Sequence, residues 1–376
     1  MGIISRYARL AIGILEAQIE AMGFTPVVHF ELEGTYAMNG AKAHRHVLDF
    51  DAVNAELAAH PIQGLIKPEF WPCQWEWASQ FEGQGPLKTA ADLEAAMKII
   101  PVILLRHGCD EVFIRPVMWN GVQGKMAAGS RKIFGPNESP VHIPNSIQVN
   151  ISALNRQDEN AIPENGLGER LQECLLKTSY ECCLLYSPEE EAFERLSLKK
   201  KYDLALELSS PQDISGGHQG SIALYKELGK HNQKIGETPQ LYDAESNVVA
   251  TTQDWRPLSR VEHRLGSASL HYNPYANVAF ALANLSDAIM LTQGDFTHLA
   301  MMPKETHTEL PASLFGDKGA YALFRDSTWF EGKLNACADY ARTERLLPTE
   351  AAPANIGGML KKAMLDYYFL SASVEM

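Results

Sequence analysis

Val27-Val28-His29-Phe30-Glu31-Leu32-Glu33 is the stretch that decides the fold. Its apolar residues alternate with polar ones, which is the period of a β-strand with one buried face. His29, Glu31 and Glu33 share the other face, and two neighbouring glutamates on a strand repel each other unless a cation lies between them. The stretch therefore predicts a strand that carries carboxylates on one face.

Three further stretches also separate an apolar face from a polar one. In Gln74-Trp75-Glu76-Trp77 the two tryptophans share a face. The polar faces of residues 146–152 and 260–264 carry amide, hydroxyl, carboxylate and guanidinium groups: Gln148, Asn150, Ser152, Arg260, Glu262 and Arg264. In one sheet, these faces would form a funnel of oxygen ligands for a hard cation, Mg²⁺ or Mn²⁺, of the kind that carries nucleotide phosphates. The arginines would then neutralise a transferred phosphoryl group.

Each pattern taken alone has a simpler interpretation. A pair of glutamates such as Glu31 and Glu33 is usually a solvated strand face. The Arg-x-Glu-x-Arg pattern of residues 260–264 is usually a surface ladder of ion pairs. Periodicity alone therefore leaves both a metal site and a solvated sheet face open.

The remaining segments predict helices and strands in irregular order. Apolar spacing predicts helices over residues 7–22, 88–107 (with Thr89 as N-cap), 166–187, 273–291 (with Asn273 as N-cap) and 356–371. Strands are predicted at 112–117 and 261–265, a long loop at 119–144, and a solvated, charged helix face at 189–201. Because this order lacks a regular βαβ rhythm, the pattern favours an α+β fold.

Composition and charge exclude several classes of protein. The 376 residues are 45% hydrophobic and 21% charged, which is ordinary for a globular protein with a sizeable core. The net charge of −13 argues against general nucleic-acid binding. The apolar run at 10–22 is broken by Glu16 and Glu20, which indicates an amphipathic helix and neither a signal peptide nor a membrane span. The six cysteines show no CxxC pair, as expected of reduced thiols in a cytoplasmic enzyme.

The order of these stretches resembles the catalytic domain of the glutamine synthetase and glutamate–cysteine ligase superfamily. Residues 22–33 resemble the family's opening helix end and E-x-E metal strand, and residues 69–76 its E-x-x-x-G-Q-x-E segment. Residues 260–264 and 273–275 resemble its R-x-E-x-R strand and A-N-P-Y helix start. Shorter matches at 87–92, 106–108 and 113–118 lie between them. The likeness covers about residues 5–120, 145–155 and 258–292.

The resemblance implies a curved, mostly antiparallel sheet that forms an active-site funnel flanked by helices. It implies one catalytic domain over residues 1–376, without the family's N-terminal β-grasp domain, and a monomer or simple homo-oligomer. By position, one metal would be held by Glu33, Glu69 and Glu76, and the other by Glu31 and Glu262. Gln148 stands where glutamine synthetases have a histidine ligand, and residues 148–150 are closer to the Q-V-N strand of plant-type glutamate–cysteine ligases.

The implied activity is that of an ATP- and magnesium-dependent ligase that joins a small, amino-acid-like carboxylate to an amine through an acyl phosphate. Arg260 and Ser152 match nucleotide-contacting positions. Arg264 matches the arginine that stabilises the transferred phosphoryl group, and Glu262 is placed with it as a catalytic residue.

Several family features have no clear counterpart. Residues 144–146 are the nearest match to the glutamate-gripping N-G-x-G loop, and residues 216–219 with Lys226 stand where the family has an arginine-rich segment. His271, His218 and Glu82 are the candidates for the base that takes the amine proton. Two alternatives follow: a phosphotransferase resembling guanidino kinases, or a non-catalytic relative that keeps the metal cluster.

Overall fold

The computed structural model describes residues 2–38, 48–69, 73–80, 83–119, 142–197, 207–210, 221–226, 256–295 and 299–375, with short pieces at 228–229, 233–234, 240–242 and 248–250. The helices in these ranges are α1 (Gly2–Ala21), α2 (Phe50–Leu57), α3 (Pro86–Arg106), α4 (Leu167–Thr178), α5 (Glu190–Ser197), α6 (Pro274–Gln293), α7 (Ala320–Asp326), α8 (Trp329–Thr343) and α9 (Ile356–Glu375). Short 3₁₀ turns lie at 183–185, 256–258 and 349–351.

The strands of the main sheet are β1 (Thr25–Ala37), β2 (Gly64–Pro68), β3 (Gln74–Ser79), β4 (Glu111–Phe113), β7 (Ser146–Leu154), β8 (Ile222–Tyr225) and β13 (Arg260–Ser267). They pair antiparallel in the order β2-β3-β1-β7-β13-β8, and β4 pairs with the end of β1. Three two-stranded ribbons join β5 (Val117–Trp119) to β6 (His142–Pro144), β9 (Leu228–Gly229) to β10 (Gln233–Lys234), and β11 (Gln240–Tyr242) to β12 (Val248–Ala250). The chain is thus α+β, as predicted.

One face of the main sheet packs against a layer of helices. Val28, Phe30 and Leu32 of β1 are buried in this core. Helix α6 contacts α1, α3, α4, β1 and β7, and it is buried from its first residue to Met290. Most of its residues are apolar, and its few buried polar side chains find hydrogen-bond partners inside the core. As predicted, Asn273 caps it: its Oδ1 accepts a hydrogen bond of 3.0 Å from the amide of Ala276. The opposite sheet face therefore carries the polar side chains.

The helix layer also encloses a buried ion pair. Lys333 of α8 and Asp287 of α6 are fully buried, with 2.5 Å between Nζ and Oδ1. Lys333 Nζ also donates to Ser286 Oγ at 3.0 Å, and Trp329 Nε1 donates to Asp287 Oδ2 at 3.0 Å. One cation and one anion thus neutralise each other inside the core.

The two tryptophans of β3 lie under glycines of the neighbouring strands. A Cβ at Gly34 would lie 2.4 Å from Trp75 Cζ2, and a Cβ at Gly64 would lie 2.3 Å from Trp77 Nε1. Because real Cβ atoms do not approach other atoms so closely, glycine is required at both positions. The indoles therefore occupy the space over Gly34 and Gly64 that side chains would otherwise fill.

Three predicted boundaries are wrong. Helix α3 begins at Pro86 with Gly85 as its N-cap, so Thr89 lies inside the helix, where its hydroxyl donates to Gly85 O at 3.4 Å. The single strand predicted at 112–117 is two strands, β4 and β5, separated before Pro116, which has no amide hydrogen for a ladder. The helix predicted at 166–187 ends at Thr178.

The prediction of a solvated helix face at 189–201 is also wrong for the part of it that α5 covers. Glu191 and Arg195 are only 7% and 3% exposed. The Arg115 guanidinium donates to both carboxylate oxygens of Glu191, and Arg195 donates to backbone carbonyls, so partners inside the protein replace water. Residues 198–201, and most of the loop predicted at 119–144, lie outside the described residues. Among the described helices, none combines the length and apolar character needed to span a membrane.

Candidate active site

Strand pairing brings the predicted site residues onto neighbouring positions of the polar sheet face. Glu33 of β1 lies directly opposite Glu76 of β3, and Glu31 lies opposite Gln148 of β7. One strand further, Asn150 of β7 lies opposite Glu262 of β13. Adjacent strands are about 4.8 Å apart, so these groups form one continuous polar surface.

Glu33, Glu69 and Glu76 form the tightest group of carboxylates on this face. One carboxylate oxygen from each lies within 4.8 Å of the other two. Glu69 follows β2, and its amide donates to Gln74 O at 3.1 Å. This hydrogen bond joins the end of β2 to the start of β3, the strand that pairs with β1 beside Glu33. The geometry is that of three oxygen ligands around one small cation.

The protein interior holds Glu33 in a defined orientation. The Ser146 amide donates to its Oε2 at 2.7 Å, and Gln148 Nε2 donates to its Oε1 at 3.2 Å. Burial, and then the nearby Glu69 carboxylate, raise the pKa of Glu33 to about 7. Two hydrogen bonds therefore orient a carboxylate whose charge is incompletely balanced.

Glu76 is the most perturbed member of the group. Burial raises its pKa to about 9, with further contributions from the Glu31 and Glu33 carboxylates, while Lys67 acts in the opposite direction. Without a cation, protons must supply part of the missing positive charge. A divalent ion would supply it instead and would keep the carboxylates ionised.

A second group, centred on Asn150, contains the two arginines. Asn150 Nδ2 donates to Glu31 Oε1 at 3.0 Å, and Asn150 Oδ1 accepts from Arg260 Nε at 2.6 Å. Glu262 forms ion pairs with Arg260, at 3.3 Å, and with Arg264. Burial raises the pKa of Glu31 to about 7, with the Glu262 carboxylate as the next cause.

The two arginines of this group differ in their surroundings. Burial alone would lower the pKa of Arg264, but the Glu262 carboxylate outweighs it and raises the pKa above its usual value. Arg264 is therefore permanently charged beside Glu262. The Arg260 guanidinium lies over the ring of Tyr225, 4.2 Å from its centroid, at the side of an open cleft.

This cleft has a volume of about 640 Å³ and continues from Glu31 along the polar sheet face. His29, Ser79, Asn150, Ser152 and Arg260 contribute polar side chains to its wall, and Val27, Leu154 and Leu258 contribute apolar ones. Burial, and then Arg260, lower the pKa of His29 to about 4, so its imidazole is neutral at physiological pH. A mixed polar and apolar cleft beside charged groups is typical of a small-ligand site.

A divalent cation fits the donors on this face. Gln148 Nε2 is used by Glu33 and Ser146, while Gln148 Oε1 is buried and has no hydrogen-bond partner among the described residues. A buried amide oxygen without a partner is costly, and coordination to a hard cation would satisfy it. Every oxygen predicted as a metal ligand thus belongs to one contiguous face.

The candidate bases fall elsewhere or outside the described residues. The ring of His271 lies 3.3 Å from the Tyr367 hydroxyl of α9, among the helices. His218 and Glu82 lie outside the described residues. Lys226, considered as a substitute for the missing arginines, pairs with Glu169 of α4.

Sequence reasoning placed Asn150 on the polar face without a role of its own, and it missed Ser146 and Arg195, which also organise the site. Asn150 bridges Glu31 and Arg260, Ser146 orients Glu33 through its amide, and Arg195 binds the backbone next to both groups. The polar alternation of residues 146–152 was a signal for Asn150. A backbone amide and a buried arginine in a charged helix carry no such signal.

Solved structures with the same arrangement of helices and strands are similar to this chain. A novel glutamine synthase homologue aligns with a TM-score of 0.56 and 14% identity over 96% of this chain and 71% of its own. Ligand-free GmaS aligns with a TM-score of 0.54 and 16% identity over 90% and 72%. Plasmodium falciparum glutamine synthetase aligns with a TM-score of 0.54 and 11% identity over 98% and 76%.

No protein-family model and no curated protein matches the sequence. At these identities the structural likeness speaks for the fold. The chain therefore has the glutamine-synthetase-like fold that the resemblance implied.

Proposed function

We propose that the chain is an ATP- and Mg²⁺-dependent ligase that joins a small, amino-acid-like carboxylate to an amine. The observation that carries the proposal is the convergence of five glutamates and two arginines, from strands β1, β3 and β13 and from the residue that follows β2, on one sheet face. Such a cluster is unfavourable in isolation and becomes favourable around divalent cations and phosphates. Manganese would suit the same oxygen ligands.

Two cation positions follow from the grouping of the side chains. Glu33, Glu69 and Glu76 would hold one ion, and Glu31 with Glu262 would hold the second, with Gln148 Oε1 between the groups. Bound Mg²⁺ would neutralise and orient the phosphates of ATP. Ser146 and Asn150 keep the ligands oriented through the hydrogen bonds described above.

The cleft of about 640 Å³ is the proposed nucleotide site. Arg260 and Ser152 lie in its wall, and Arg260 is held by Asn150 and Tyr225 in a position to contact phosphate. The γ-phosphate would then point toward the glutamates and Arg264. Nucleotide and metal would then lie on the same face.

The proposed reaction has two steps. A substrate carboxylate oxygen forms a bond to the γ-phosphorus while the bond to ADP breaks, and Arg264 stabilises the charge that spreads over the phosphoryl oxygens. The amine nitrogen then bonds to the acyl carbon, phosphate leaves, and the nitrogen loses a proton to give the amide. Glu262 keeps Arg264 charged and oriented beside the reacting group.

We further propose that residues 1–376 act as one catalytic domain, since the site combines residues from Glu31 to Arg264. Residues 2–295 of the described chain supply its sheet and central helix. All six cysteines are free and buried, as a reducing compartment such as the cytoplasm would allow. A monomer or simple homo-oligomer is the proposed state, acting on small molecules and not on nucleic acid or membranes.

The test is an ADP-release screen of small carboxylates paired with ammonia, primary amines and polyamines, with and without Mg²⁺. Products are identified by mass spectrometry. Wild type should release ADP and form an amide only with Mg²⁺, and Glu262→Ala should lower the rate about 10³-fold by leaving the metal and Arg264 without their partner. Glu350→Gln, at an exposed position far along the chain, is the matched control and should retain full activity.

Other outcomes would contradict the ligase proposal. A phosphorylated acceptor without an amide would indicate a phosphotransferase. Absence of ADP release with every pair, in a protein that still binds Mn²⁺, would indicate a non-catalytic metal-binding relative. Equal rates for wild type and Glu262→Ala would place the chemistry elsewhere.

A further inference from the structure

Arg195 of α5 is a buried cation to which the proposed reaction gives no role. It is 3% exposed, and its described hydrogen bonds all go to backbone carbonyls. Its Nη1 donates to Gly266 O at 2.8 Å and to Asn145 O at 3.2 Å, and its Nη2 donates to Arg264 O at 3.3 Å. One planar guanidinium thus joins two neighbouring segments, the residue before β7 and the irregular part of β13.

The first segment orients the carboxylate cluster. Asn145 is fully buried; its Oδ1 accepts from Gln74 Nε2 at 3.1 Å and its Nδ2 donates to Arg115 O at 2.9 Å. The next residue, Ser146, donates its amide to Glu33. A shift of the Asn145 carbonyl would therefore move the amide that holds Glu33.

The second segment orients the arginine of the phosphoryl site. Strand β13 shifts its register against β7 between His263 and Gly266, so Arg264 lies in a β-bulge. A Cβ at Gly266 would lie 2.3 Å from Ile147 O, which shows how closely the two strands approach there. Bulges commonly redirect a side chain beside a functional site, and Arg195 holds this one from both of its ends.

We propose that Arg195 is a positioning residue that couples the metal-binding glutamates to Arg264 by holding the backbone of both segments. This inference rests on the proposed function, because it assigns the two segments a shared task in metal and phosphate binding. Arginine suits the role because its rigid fork reaches three carbonyls at once, whereas lysine presents a single point of charge. The ion pair between Arg115 and Glu191 holds α5 in place, which keeps the Arg195 guanidinium within hydrogen-bonding distance of the three carbonyls.

The test compares Mn²⁺ affinity, measured by calorimetry well below each variant's Tm, in Arg195→Met, Arg195→Lys and a control. The control is Arg342→Met: Arg342 also donates to a backbone carbonyl, Ala352 O at 2.8 Å, but belongs to α8 in the helix layer. Arg195→Met should weaken Mn²⁺ binding about 10- to 100-fold, the usual effect of losing a group that orients metal ligands. Arg195→Lys should recover part of the affinity, and Arg342→Met should bind Mn²⁺ like wild type.

A purely structural Arg195 would give a different result. Arg195→Met would then lower the Tm as Arg342→Met does, but would bind Mn²⁺ within twofold of wild type, and that outcome overturns the inference. If the Met variant does not fold, Arg195→Lys decides by the same criterion, since it keeps a buried cation. With active enzyme, kcat should fall more than KM rises in the Lys variant, because Arg264 acts on the transition state.

Glu33→Gln separates this inference from the proposed function. If Glu33→Gln leaves Mn²⁺ binding unchanged, the carboxylate face is not the metal site and the proposed function fails. If Glu33→Gln abolishes binding while both Arg195 variants bind normally, only the coupling through Arg195 is wrong.

Discussion

The molecule buries charge in two places, and the two places differ in balance. In the helix layer, Lys333 and Asp287 form one fully buried pair, and hydrogen bonds from neighbouring side chains complete it. On the sheet face, five glutamates lie near three guanidinium groups: Glu31, Glu33, Glu69, Glu76 and Glu262, with Arg195, Arg260 and Arg264. The first cluster is neutral by itself, whereas the second has an excess of negative charge.

This difference separates a structural cluster from the one that we propose to be functional. A balanced buried pair needs no further counter-charge from solvent or ions. Its contribution to stability is lost mainly when one partner is removed. In the unbalanced cluster, burial and then the neighbouring carboxylates raise the pKa of Glu33 and Glu76, so protons or cations are needed to neutralise the remaining charge. Changes in each region should therefore have effects of different size and different dependence on metal.

The largest effect is expected in the helix layer. Asp287→Ala leaves the Lys333 ammonium buried without its carboxylate, which should lower the free energy of unfolding by about 3–5 kcal/mol. Urea denaturation with and without Mg²⁺ measures this change, and the loss should be the same in both conditions. A loss below about 1 kcal/mol, or a loss that Mg²⁺ reverses, would contradict the stated difference between the helix layer and the sheet face.

The double variant Asp287→Leu with Lys333→Met is the matched control for this prediction. It removes both charges and fills the space with apolar atoms, so it should be more stable than Asp287→Ala alone. A double variant as unstable as the single one would show that packing, and not the unbalanced charge, causes the loss.

A smaller effect is expected on the sheet face when pH is changed. The folded-state pKa values of Glu31, Glu33 and Glu76 are raised to about 7, 7 and 9, so these groups hold protons more tightly folded than unfolded. Their contribution to stability is complete below the unfolded pKa and is lost as pH rises through the folded values. In EDTA the free energy of unfolding should fall by at least about 2 kcal/mol between about pH 5 and pH 9, since each unit by which a pKa is raised is worth about 1.4 kcal/mol.

Millimolar Mg²⁺ should reverse this loss at the alkaline end and have little effect at the acid end, because protons and metal compete for the same oxygens. Chemical denaturation at a series of pH values, in EDTA and in Mg²⁺, gives both curves. Parallel curves would mean that no metal binds to the glutamates.

The smallest effect is expected from a single neutral substitution in the cluster. At about pH 8 Glu76, whose pKa in the folded protein is about 9, must take up a proton on folding, and Glu76→Gln removes that cost while keeping the side-chain size, so the metal-free protein should gain about 1 kcal/mol. The same variant should show a smaller Mg²⁺-induced rise in Tm than wild type. Thermal melts of Glu76→Gln and the exposed control Glu350→Gln, each with and without Mg²⁺, measure both effects; equal Mg²⁺ responses would exclude Glu76 as a ligand.

Much of the fold could be predicted because its signals are local. The alternation of β1 separates Val28, Phe30 and Leu32 from the glutamates, since side chains on a strand alternate between faces. Asn273 and Pro274 mark the start of α6 because capping depends on adjacent residues. The order of the strands in the sheet is not local and was not predicted; only a curved, mostly antiparallel sheet was expected, from the family resemblance.

The candidate site could be predicted only in part, for the same reason. Glu31, Glu33 and Glu262 lie in readable strand patterns, but the contacts of Arg195 join α5 to carbonyls 50 to 71 residues away. A charged helix with Glu190, Glu191 and Arg195 reads as solvated when tertiary contacts are unknown. A hydrogen bond to a backbone carbonyl does not depend on the residue type of its partner. The contacts of Arg195 could therefore be found only in the folded structure.

The tryptophans of β3 give the protein an intrinsic optical reporter. Trp75 and Trp77 flank Glu76 in the chain, lie on the opposite side of the same strand, and contact one glycine in each of β1 and β2. A ligand that draws Glu76 toward Glu33 is expected to change how these indoles pack against the two glycines. Their emission wavelength and quenching should therefore follow occupation of the carboxylate face without an added dye.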